Sequence, residues 1–313
     1  MLTIFSIPKP FTGEMGVMQR NAIKSWTLLR PNCEVILMGD DEGTDEAAAD
    51  LGVRHIPDLN RNEYGTPLLD HAFQLADAEG KFPLNCWVNA DIILMDDILE
   101  AVKVVQERTD WFLMTAQRTD LDLAEPLDFK QGWEVRLLKE VSLYGELHHF
   151  TGIDFWIYPK KFLEGMPPFA IGRVAYESWC LYTARRRNAE LIDATDVVVS
   201  VHQNHDYSHH PQGVLGVGRG LEAARNREMV GGKPYFFIIK DRTHVLTREG
   251  LKQPMDGWRL WRGLRRAQVL PIPGPLPVRL PATLLAKGLN SAINAVRDIL
   301  VMIFHRRSRR TVS

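Results

Sequence analysis

The stretch Trp87-Val-Asn-Ala-Asp-Ile-Ile-Leu94 contains an acidic residue, Asp91, inside an otherwise mostly apolar run. The flanking apolar residues predict a buried strand that is interrupted at Asn89-Ala90-Asp91. Burying a carboxylate is costly unless it is paired or binds a metal. Asp91 is therefore a candidate ligand for Mg²⁺ or Mn²⁺, which bridge one or two carboxylates to substrate phosphates. A turn aspartate that caps the next helix is the alternative.

Apolar runs alternate with segments of helical periodicity on both sides of this stretch. The predicted strands are residues 2–7, 34–38, 53–56, 87–94 and 111–115, and the predicted helices are 18–29, 45–51, 66–78 and 96–105. The less regular second half predicts strands at 155–158, 197–201 and 233–239 and a helix at 176–187. This alternation predicts an α/β fold with a mostly parallel sheet covered on both faces. Ligands bind such sheets beyond the carboxyl ends of the strands, a rule that points to Asp40, Asp41 and Asp91.

Four of the ten histidines fall within residues 202–210, directly after an apolar run at 197–201. His202 is expected to leave the end of that strand, where its imidazole could be a second ligand for the metal at Asp91. His205 is a candidate contact to phosphate or sugar hydroxyls. Zinc is disfavoured because no closed set of ligands accompanies the cluster. A polar hairpin loop without metal ligands is the alternative.

Two further acids stand next to apolar or aromatic segments. Asp154 precedes a strand that contains Trp156 and Tyr158. Aromatic rings and a carboxylate together suit carbohydrate, although an aromatic core strand with an exposed acid explains the pattern equally well. Glu177 begins an apolar helix, where the helix dipole favours an anion. It is a candidate general base toward an acceptor hydroxyl, or a helix-start acid with no chemical role.

The loop at residues 60–70 is a candidate phosphate or base site. Pro67 fits the first turn of the following helix, and Arg61 with that helix N-terminus could hold a diphosphate. A plain strand-to-helix loop accounts for it almost as well. Phosphate-binding P-loop, dinucleotide-binding and HExxH zinc motifs are absent from the sequence, which excludes the best-known alternatives.

The charge distribution separates the end of the chain from the rest. The 313 residues carry a net charge of −1, and their ordinary composition excludes collagen-like, disordered and disulfide-scaffold proteins. The last 56 residues, however, contain eleven Lys and Arg and a single acid, Asp298. Five prolines between 269 and 281 predict a stiff linker. Residues 285–303 then show helical apolar periodicity and are followed by Arg306, Arg307, Arg309 and Arg310.

An apolar helix face with a basic end is typical of a segment that lies on an anionic membrane surface. Packing of this helix on the rest of the chain, or on the partner in a homodimer, is the alternative. Nucleic acid is disfavoured because the acidic first part would repel it. No stretch reaches 18 uncharged apolar residues, the first eleven residues do not form a signal peptide, and three scattered cysteines indicate a cytoplasmic protein.

Taken together, these features resemble nucleotide-sugar glycosyltransferases of the GT-A class over about residues 1–245. The resemblance rests on the N-terminal strand, the acid after the second strand, Asn89-Ala90-Asp91 in place of the DxD motif, Gly152-x-Asp154, Gly172…Glu177-x-Trp179 and a late histidine. The stretches Ile192-Asp-Ala-Thr195 and His202-Gln-Asn-His-Asp-Tyr-Ser-His209 are similar to those of bacterial family-2-like glycosyltransferases.

This resemblance implies a GT-A fold and metal-assisted transfer of a sugar from a nucleoside diphosphate, with a UDP-sugar favoured. Asp91 and His202 would hold Mn²⁺ or Mg²⁺, and Glu177 and Asp154 would be the catalytic residues. The donor would be held by Pro8, Asp40, Arg61, Asn62, Asn89 and His205. The acceptor would be a glycan or lipid-linked intermediate of surface polysaccharide, handled on the cytoplasmic face of the inner membrane.

The predicted domains are residues 1–245 for the catalytic fold, 246–281 for a basic and Pro-rich linker, and 282–313 for the membrane-associating tail. Two other functions stay open. A sugar-1-phosphate nucleotidylyltransferase would need a Gly-rich GxGTRL-type loop, which residues 5–16 do not supply. A non-catalytic, membrane-associated sugar-binding protein is compatible with Asn89 in place of the first acid of DxD.

Overall fold

Thirteen strands in the described residues form two sheets. The strands are β1 Leu2–Ser6, β2 Glu34–Met38, β3 Arg54–Ile56, β4 Leu84–Val88, β5 Ile92–Ile93, β6 Phe112–Thr115, β7 Arg118–Leu121, β8 Glu146–Leu147, β9 Phe155–Pro159, β10 Glu190–Asp193, β11 Ser200–Gln203, β12 His244–Thr247 and β13 Gly250–Lys252. The helices are α1 Gly13–Leu28, α2 Thr44–Leu51, α3 Leu69–Glu79, α4 Asp97–Gln106, α5 Trp133–Tyr144, α6 Tyr176–Arg186 and α7 Leu221–Val230.

The computed structural model describes residues 1–123, 125–205 and 218–257, together with positions 262, 266, 269, 270, 288 and 291. The chain divides into two units, Met1–Pro254 and Met255–Ser313, and every element above lies in the first. The predicted tail helix, the Pro-rich stretch and the histidines at 209 and 210 lie outside the described residues, apart from the isolated positions given above. The three predicted domain boundaries stay predictions. No helix in the described part of the chain is long and apolar enough to cross a membrane.

The large sheet has the strand order β13-β12-β10-β6-β9-β4-β1-β2-β3. Its neighbouring strands run parallel except where β9 pairs with β4 and β6 and where β13 pairs with β12. The predicted fold class, α/β with a mostly parallel sheet flanked by helices, is confirmed. Because β9 is reversed, its first residue, Phe155, pairs with Val88 at the carboxyl end of β4. The residues just outside this pair, Asn89 and Asp154, therefore lie side by side.

The central strands are buried on both faces, as expected for parallel strands covered by helices. All five residues of β1, β2 and β4 are buried. The rings of Trp156 and Tyr158 on β9 are also buried, with 0% and 1% of their surface exposed. Of the two alternatives left open for this segment, the structure therefore supports the aromatic core strand, because β9 lies between β4 and β6 and both of its faces are covered by the core.

The small sheet has the order β5-β11-β7-β8. Its strand β11 pairs antiparallel with β5 and parallel with β7, so that His202 lies opposite Ile92 on one side and Asp120 on the other. His202 is thus inside the strand, and the prediction that it leaves a strand end is wrong. The predicted strand at 197–201 begins three residues late because the amides of Val197 and Val198 form turn hydrogen bonds to the Ala194 carbonyl.

A buried network of amide side chains connects β11 to α1. The Gln203 amide donates to the carbonyls of Met18 and Asp91 and accepts from the Asn21 amide at 3.0 Å. Asn21 also donates to the Glu125 carbonyl and accepts from the Leu127 amide. Gln203 and Asn21 are 0% and 3% exposed. Each of these hydrogen bonds contributes to the stability of the fold, because a buried polar group without a partner costs roughly 1–3 kcal/mol.

Two further sequence predictions differ from the structure. Residues 233–239 are not a strand; the segment contains the short 3₁₀ turn Lys233–Tyr235 and leads into a second one, Ile239–Asp241. The helix expected from residue 66 begins at Leu69, since Pro67 forms an isolated β-bridge with Arg61 instead of the first helical turn. The amide of Leu69, the first of this helix, is already bonded to the Phe169 carbonyl and is therefore not available to a phosphate.

We expect Asn21→Ala to lower the free energy of unfolding by about 2–4 kcal/mol, because it leaves the buried Gln203 carbonyl oxygen, the Glu125 carbonyl and the Leu127 amide without partners. Urea unfolding measures the change. Asn32→Ala on the exposed surface is the matched control and should change stability by less than about 0.5 kcal/mol. A loss below about 1 kcal/mol for Asn21→Ala would contradict the role of the network.

Candidate functional site

A pocket of about 430 Å³ opens at the carboxyl ends of β1 and β4. This is the edge where ligands bind in open α/β sheets. The loops after β1, β2 and β4, the start of α6 and the strand β11 all contribute to its wall. The polar residues that line it are Lys9, Gln19, Asp41, Arg61, Tyr64, Thr66, Asn89, Asp91, Arg118, Asp154, Arg173, Tyr176, Glu177, His202 and His205.

Asp91, His202 and His205 converge on one point of this pocket. The Oδ2 atom of Asp91 lies 3.1 Å from Nε2 of His205 and 4.0 Å from Nε2 of His202. One potential ligand atom from each residue lies within 4.8 Å of the other two. The other carboxylate oxygen of Asp91, Oδ1, is buried and has no hydrogen-bond partner among the described residues. A cation would supply the missing partner, so these residues fit a divalent metal.

A carboxylate on the neighbouring strand lies beside the histidine on β11. Nδ1 of His202 lies 3.0 Å from Oδ1 of Asp120, and the other ring nitrogen, Nε2, lies 4.0 Å from Oδ2 of Asp91. Asp120 also lies 2.5 Å from Nδ1 of His148 through its second oxygen. A carboxylate on the outer nitrogen of an imidazole is the arrangement that fixes the orientation of metal-binding histidines. Sequence reasoning missed Asp120, because only the strand register brings it beside His202.

The charges at this point favour an ionised Asp91 and a neutral His202. Burial opposes ionisation of Asp91, but the hydrogen bond from His205 and the charge of Lys9 favour it, and its pKa falls far below the ordinary range. Burial lowers the pKa of His202, an effect only partly offset by Asp91. An ionised carboxylate with neutral imidazoles is the form that binds metal. One oxygen and two nitrogen ligands suit Mn²⁺ better than Mg²⁺, which prefers oxygen alone.

Asp154 is engaged by its neighbours on the pocket wall. The Asn89 amide donates to Oδ1 of Asp154 at 2.8 Å, and Nη1 of Arg118 lies 3.0 Å from Oδ2. Arg118 in turn lies 2.8 Å from Asp120 through its Nε. Both oxygens of Asp154 are thus occupied, which suits a residue that positions Asn89 and Arg118. Its predicted catalytic role stays a prediction.

Glu177 lies at the first turn of α6 and faces the pocket. The amide of Ala175, which has the left-handed φ of 94°, donates to Oε2 of Glu177 at 3.1 Å. Burial and the nearby Asp154 charge together raise the pKa of Glu177 to about 7, although its bonds to backbone amides act in the opposite direction. A carboxylate with a pKa near neutrality is well matched to accepting a proton from a hydroxyl at physiological pH.

The residues predicted to hold the donor are divided between the pocket and the layer behind it. Pro8, Arg61, Asn89 and His205 line the pocket. Asp40 does not line it; its carboxylate lies 2.5 Å from Arg61, and it is the neighbouring Asp41 that faces the pocket. Asn62 shapes the loop instead, because its side-chain oxygen accepts from the amides of Tyr64 and Thr66 and its nitrogen donates to Glu222.

The fold and the pocket define a Rossmann-like α/β protein with a polar ligand site at the carboxyl edge of its sheet. No protein family and no curated protein matches the sequence. Solved structures with a related fold include glucosyl-3-phosphoglycerate synthase from Mycobacterium tuberculosis in complex with Mn²⁺, UDP and glucosyl-3-phosphoglycerate. It is 13% identical, has a TM-score of 0.44, and the match covers 74% of this chain and 78% of that one.

A second solved structure is that of residues 1–349 of S. aureus TarS in complex with UDP-GlcNAc. It is 12% identical to this chain, has a TM-score of 0.48, and the match covers 86% of this chain and 71% of that one. At these identities the likeness concerns the fold alone. The activity of the present chain has to follow from its own pocket.

We expect Glu177→Gln to become progressively more stable relative to the wild type as the pH rises from about 4.5 to 7.5. Between pH 4.5 and about 7 the unfolded glutamate becomes ionised whereas the folded one, with a pKa of about 7, stays mostly protonated, so the wild type loses stability over this range and the glutamine variant does not. The difference should reach about 1–3 kcal/mol. Urea unfolding at several pH values measures it.

The exposed Glu164→Gln is the matched control and should not change its stability relative to the wild type over the same pH range. A stability difference between Glu177→Gln and the wild type that stays constant from pH 4.5 to 7.5 would contradict the raised pKa.

Proposed function

We propose that this protein is a glycosyltransferase that moves a sugar from a nucleoside-diphosphate sugar to a hydroxyl group of an acceptor, with the help of a divalent metal. One observation carries the proposal: Asp91, His202 and His205 converge at the carboxyl edge of the sheet, in the same pocket as the near-neutral carboxyl group of Glu177. This arrangement provides one place for a metal-bound diphosphate and another for deprotonating a hydroxyl.

Asp91, His202 and His205 would hold the metal ion, with Mn²⁺ favoured by the mixed oxygen and nitrogen ligands. When bound, such an ion neutralises charge on the diphosphate and makes it a better leaving group. The wall formed by Pro8, Asp41 and the Arg61 guanidinium would hold the nucleoside. Arg61 is held in place there by Asp40 and Asp41, at 2.5 and 3.4 Å. UDP is the first nucleotide to test.

Glu177 would act as the general base. Its carboxylate would take the proton of the acceptor hydroxyl while the acceptor oxygen bonds to the anomeric carbon of the sugar. The bond between that carbon and the diphosphate oxygen breaks, and the nucleoside diphosphate leaves with the electron pair. A base on the acceptor side suits a single displacement that inverts the anomeric centre. Turnover should then rise with pH through about 7, as Glu177 ionises.

The acceptor proposed is a glycan or lipid-linked intermediate of surface polysaccharide, reached at the cytoplasmic face of the membrane. Its support is the sequence of the tail, in which an apolar periodic segment is followed by four arginines within residues 306–310. Each basic residue near an anionic surface contributes about 1 kcal/mol, so the arginines together would contribute several. A glycosyltransferase held there would meet its lipid-linked acceptor at high local concentration.

The first test of the proposed function is metal-dependent binding of UDP by calorimetry. We expect Mn²⁺ to tighten UDP binding to the wild type, and Asp91→Asn to weaken binding in the presence of Mn²⁺ by at least about tenfold because it removes the carboxylate charge from the metal site. Asp58→Asn, at an exposed position outside the pocket, is the matched control. Metal-dependent UDP binding that survives unchanged in Asp91→Asn would remove Asp91 as a metal ligand.

In the same experiment, Glu177→Gln should bind UDP and Mn²⁺ within about twofold of the wild type. Its transfer rate, however, should fall about 10²- to 10⁴-fold, because the amide cannot accept the hydroxyl proton. Loss of turnover with retained binding separates the base from the residues that hold the donor. A transfer rate close to that of the wild type would rule out Glu177 as the base.

The tail is tested by flotation with vesicles of phosphatidylcholine and phosphatidylglycerol. The full chain should float with these anionic vesicles, whereas a chain lacking residues 282–313 should stay in the soluble fraction. Vesicles of phosphatidylcholine alone are the control for the charge dependence. Flotation of the shortened chain to the same extent as the full chain would show that the tail is not the anchor.

A further inference from the structure

Four lysine and arginine side chains line the pocket in the part of the chain that the structure describes, and their charges are balanced unequally. Three of them are arginines held by carboxylates at 2.5–3.4 Å: Arg61 by Asp40 and Asp41, Arg118 by Asp120 and Asp154, and Arg173 by Glu222. The fourth is Lys9, whose ammonium group makes no hydrogen bond or ion pair with the described residues. Among these four side chains, Lys9 is therefore the one whose charge is available to a ligand.

Lys9 is half-buried on the loop after β1 and lines the same pocket as Asp91. Burial lowers the pKa of Lys9, and the charge of Asp91 is the main influence that raises it again. The two residues are close enough to interact electrostatically but are not in contact. A partly desolvated ammonium without a direct partner is unfavourable, and an anion in the pocket would relieve that cost.

The backbone of Lys9 is clamped. Its amide donates to Oε1 of Gln19 at 2.6 Å, and its carbonyl accepts from Nε2 of the same side chain at 2.8 Å. Gln19 belongs to α1 and is only 1% exposed. Prolines at positions 8 and 10 restrict the backbone on both sides. This loop is thus held in one conformation before any ligand arrives, which reduces the entropy lost on binding.

We propose that the Lys9 ammonium binds the diphosphate of the donor, beside the metal ion held by Asp91, His202 and His205. This inference rests on the proposed function and adds a residue to its donor site. Lysine is a common phosphate ligand because its compact charge needs no particular orientation of the oxygens. It fits the charges of this pocket, in which Asn89 is neutral and Asp154 is occupied by Asn89 and Arg118.

The charges of the bound state support this assignment. A metal ion with Asp91 and two neutral imidazoles has a net charge of about +1, whereas the diphosphate of a sugar nucleotide carries about −2 and gains a further negative charge as the sugar leaves. Lys9 brings the protein side to about +2. The ammonium therefore balances the negative charge of the donor diphosphate, and its attraction to the leaving group becomes stronger as charge develops there.

The test compares Lys9→Met with Lys9→Arg and the wild type by calorimetry, using UDP and inorganic pyrophosphate, each with Mn²⁺, and Mn²⁺ alone. We expect Lys9→Met to bind UDP and pyrophosphate about 10- to 100-fold more weakly, because it loses a charge-assisted hydrogen bond. It should bind Mn²⁺ alone at least as tightly as the wild type, since a positive charge near the metal is removed. Lys9→Arg should recover at least part of the affinity for both phosphates.

The exposed Lys103→Met on α4 is the matched control for general loss of positive charge, and thermal unfolding confirms that each variant is folded. Unchanged affinity of Lys9→Met for UDP and pyrophosphate would overturn the assignment. So would a parallel loss of affinity for Mn²⁺ alone, since Lys9 would then act through Asp91. Failure of the proposed function looks different: the wild type would bind pyrophosphate through Lys9 but no nucleoside diphosphate.

Discussion

The site depends on one strand pairing. Strand β11 lies between β5 and β7, and its register places His202 opposite Ile92 and Asp120, although more than 80 residues separate it from either. Successive residues of a strand point to opposite faces, so a shift of one residue would turn His202 away from the pocket. Gln203 prevents such a shift. Its side chain is fully buried on the other face and bonds to Met18, Asp91 and Asn21, partners that exist in one register only.

The pairing of β11 with β7 also brings His202 beside Asp120, which belongs with Arg118 to a series of ion pairs along the pocket wall. His148 and His202 share Asp120, Arg118 joins Asp120 to Asp154, and Asp154 holds Asn89. Two carboxylates of the pocket region, Asp120 and Asp154, are thus already paired with neighbouring side chains. Asp91 keeps one buried oxygen without a hydrogen-bond partner among the described residues and lies beside His202 and His205, so it is a carboxylate well placed to bind a cation. A metal site with a single carboxylate carries a higher positive charge than one with two, which suits an anionic ligand.

The parallel half of the fold could be predicted from the sequence because its strands are apolar on both faces and its helices are amphipathic. The boundaries of β2 and α4 fall within one residue of those expected from the pattern. The second half was harder to predict because its helices and strands show weaker hydrophobic patterns in the sequence. Helix α5 buries one residue, Leu137, so it lacks a clear apolar face, and the strands β5 and β8 contain only two residues each.

The same difference applies to the site. Asp91 and His202 were recognisable because each is a polar residue within an apolar segment. Asp120, Arg118 and Lys9 gave no comparable signal, because ordinary polar segments contain similar residues. Asp154 and Tyr158 show an ambiguity of a different kind: an acid beside aromatic residues fits a sugar site or a core strand equally well. Only the position of β9 between two other strands decides between them.

Three groups in the described part of the pocket lack some of the polar partners that their charged forms require, and a bound ligand would supply them. It contains a buried carboxylate oxygen without a described partner at Asp91, a glutamate at position 177 that burial makes difficult to ionise, and a desolvated ammonium at Lys9. Burial disfavours the charged forms of Glu177 and Lys9 and so lowers the stability of the fold, and apolar residues of similar size would be better in a purely structural wall. The three lie in one pocket and carry complementary charges, as they would if a metal ion, an anion and a hydroxyl group were bound there together. A structural origin would require these three features to coincide in one place independently, whereas binding a metal, a diphosphate and an acceptor explains all three at once.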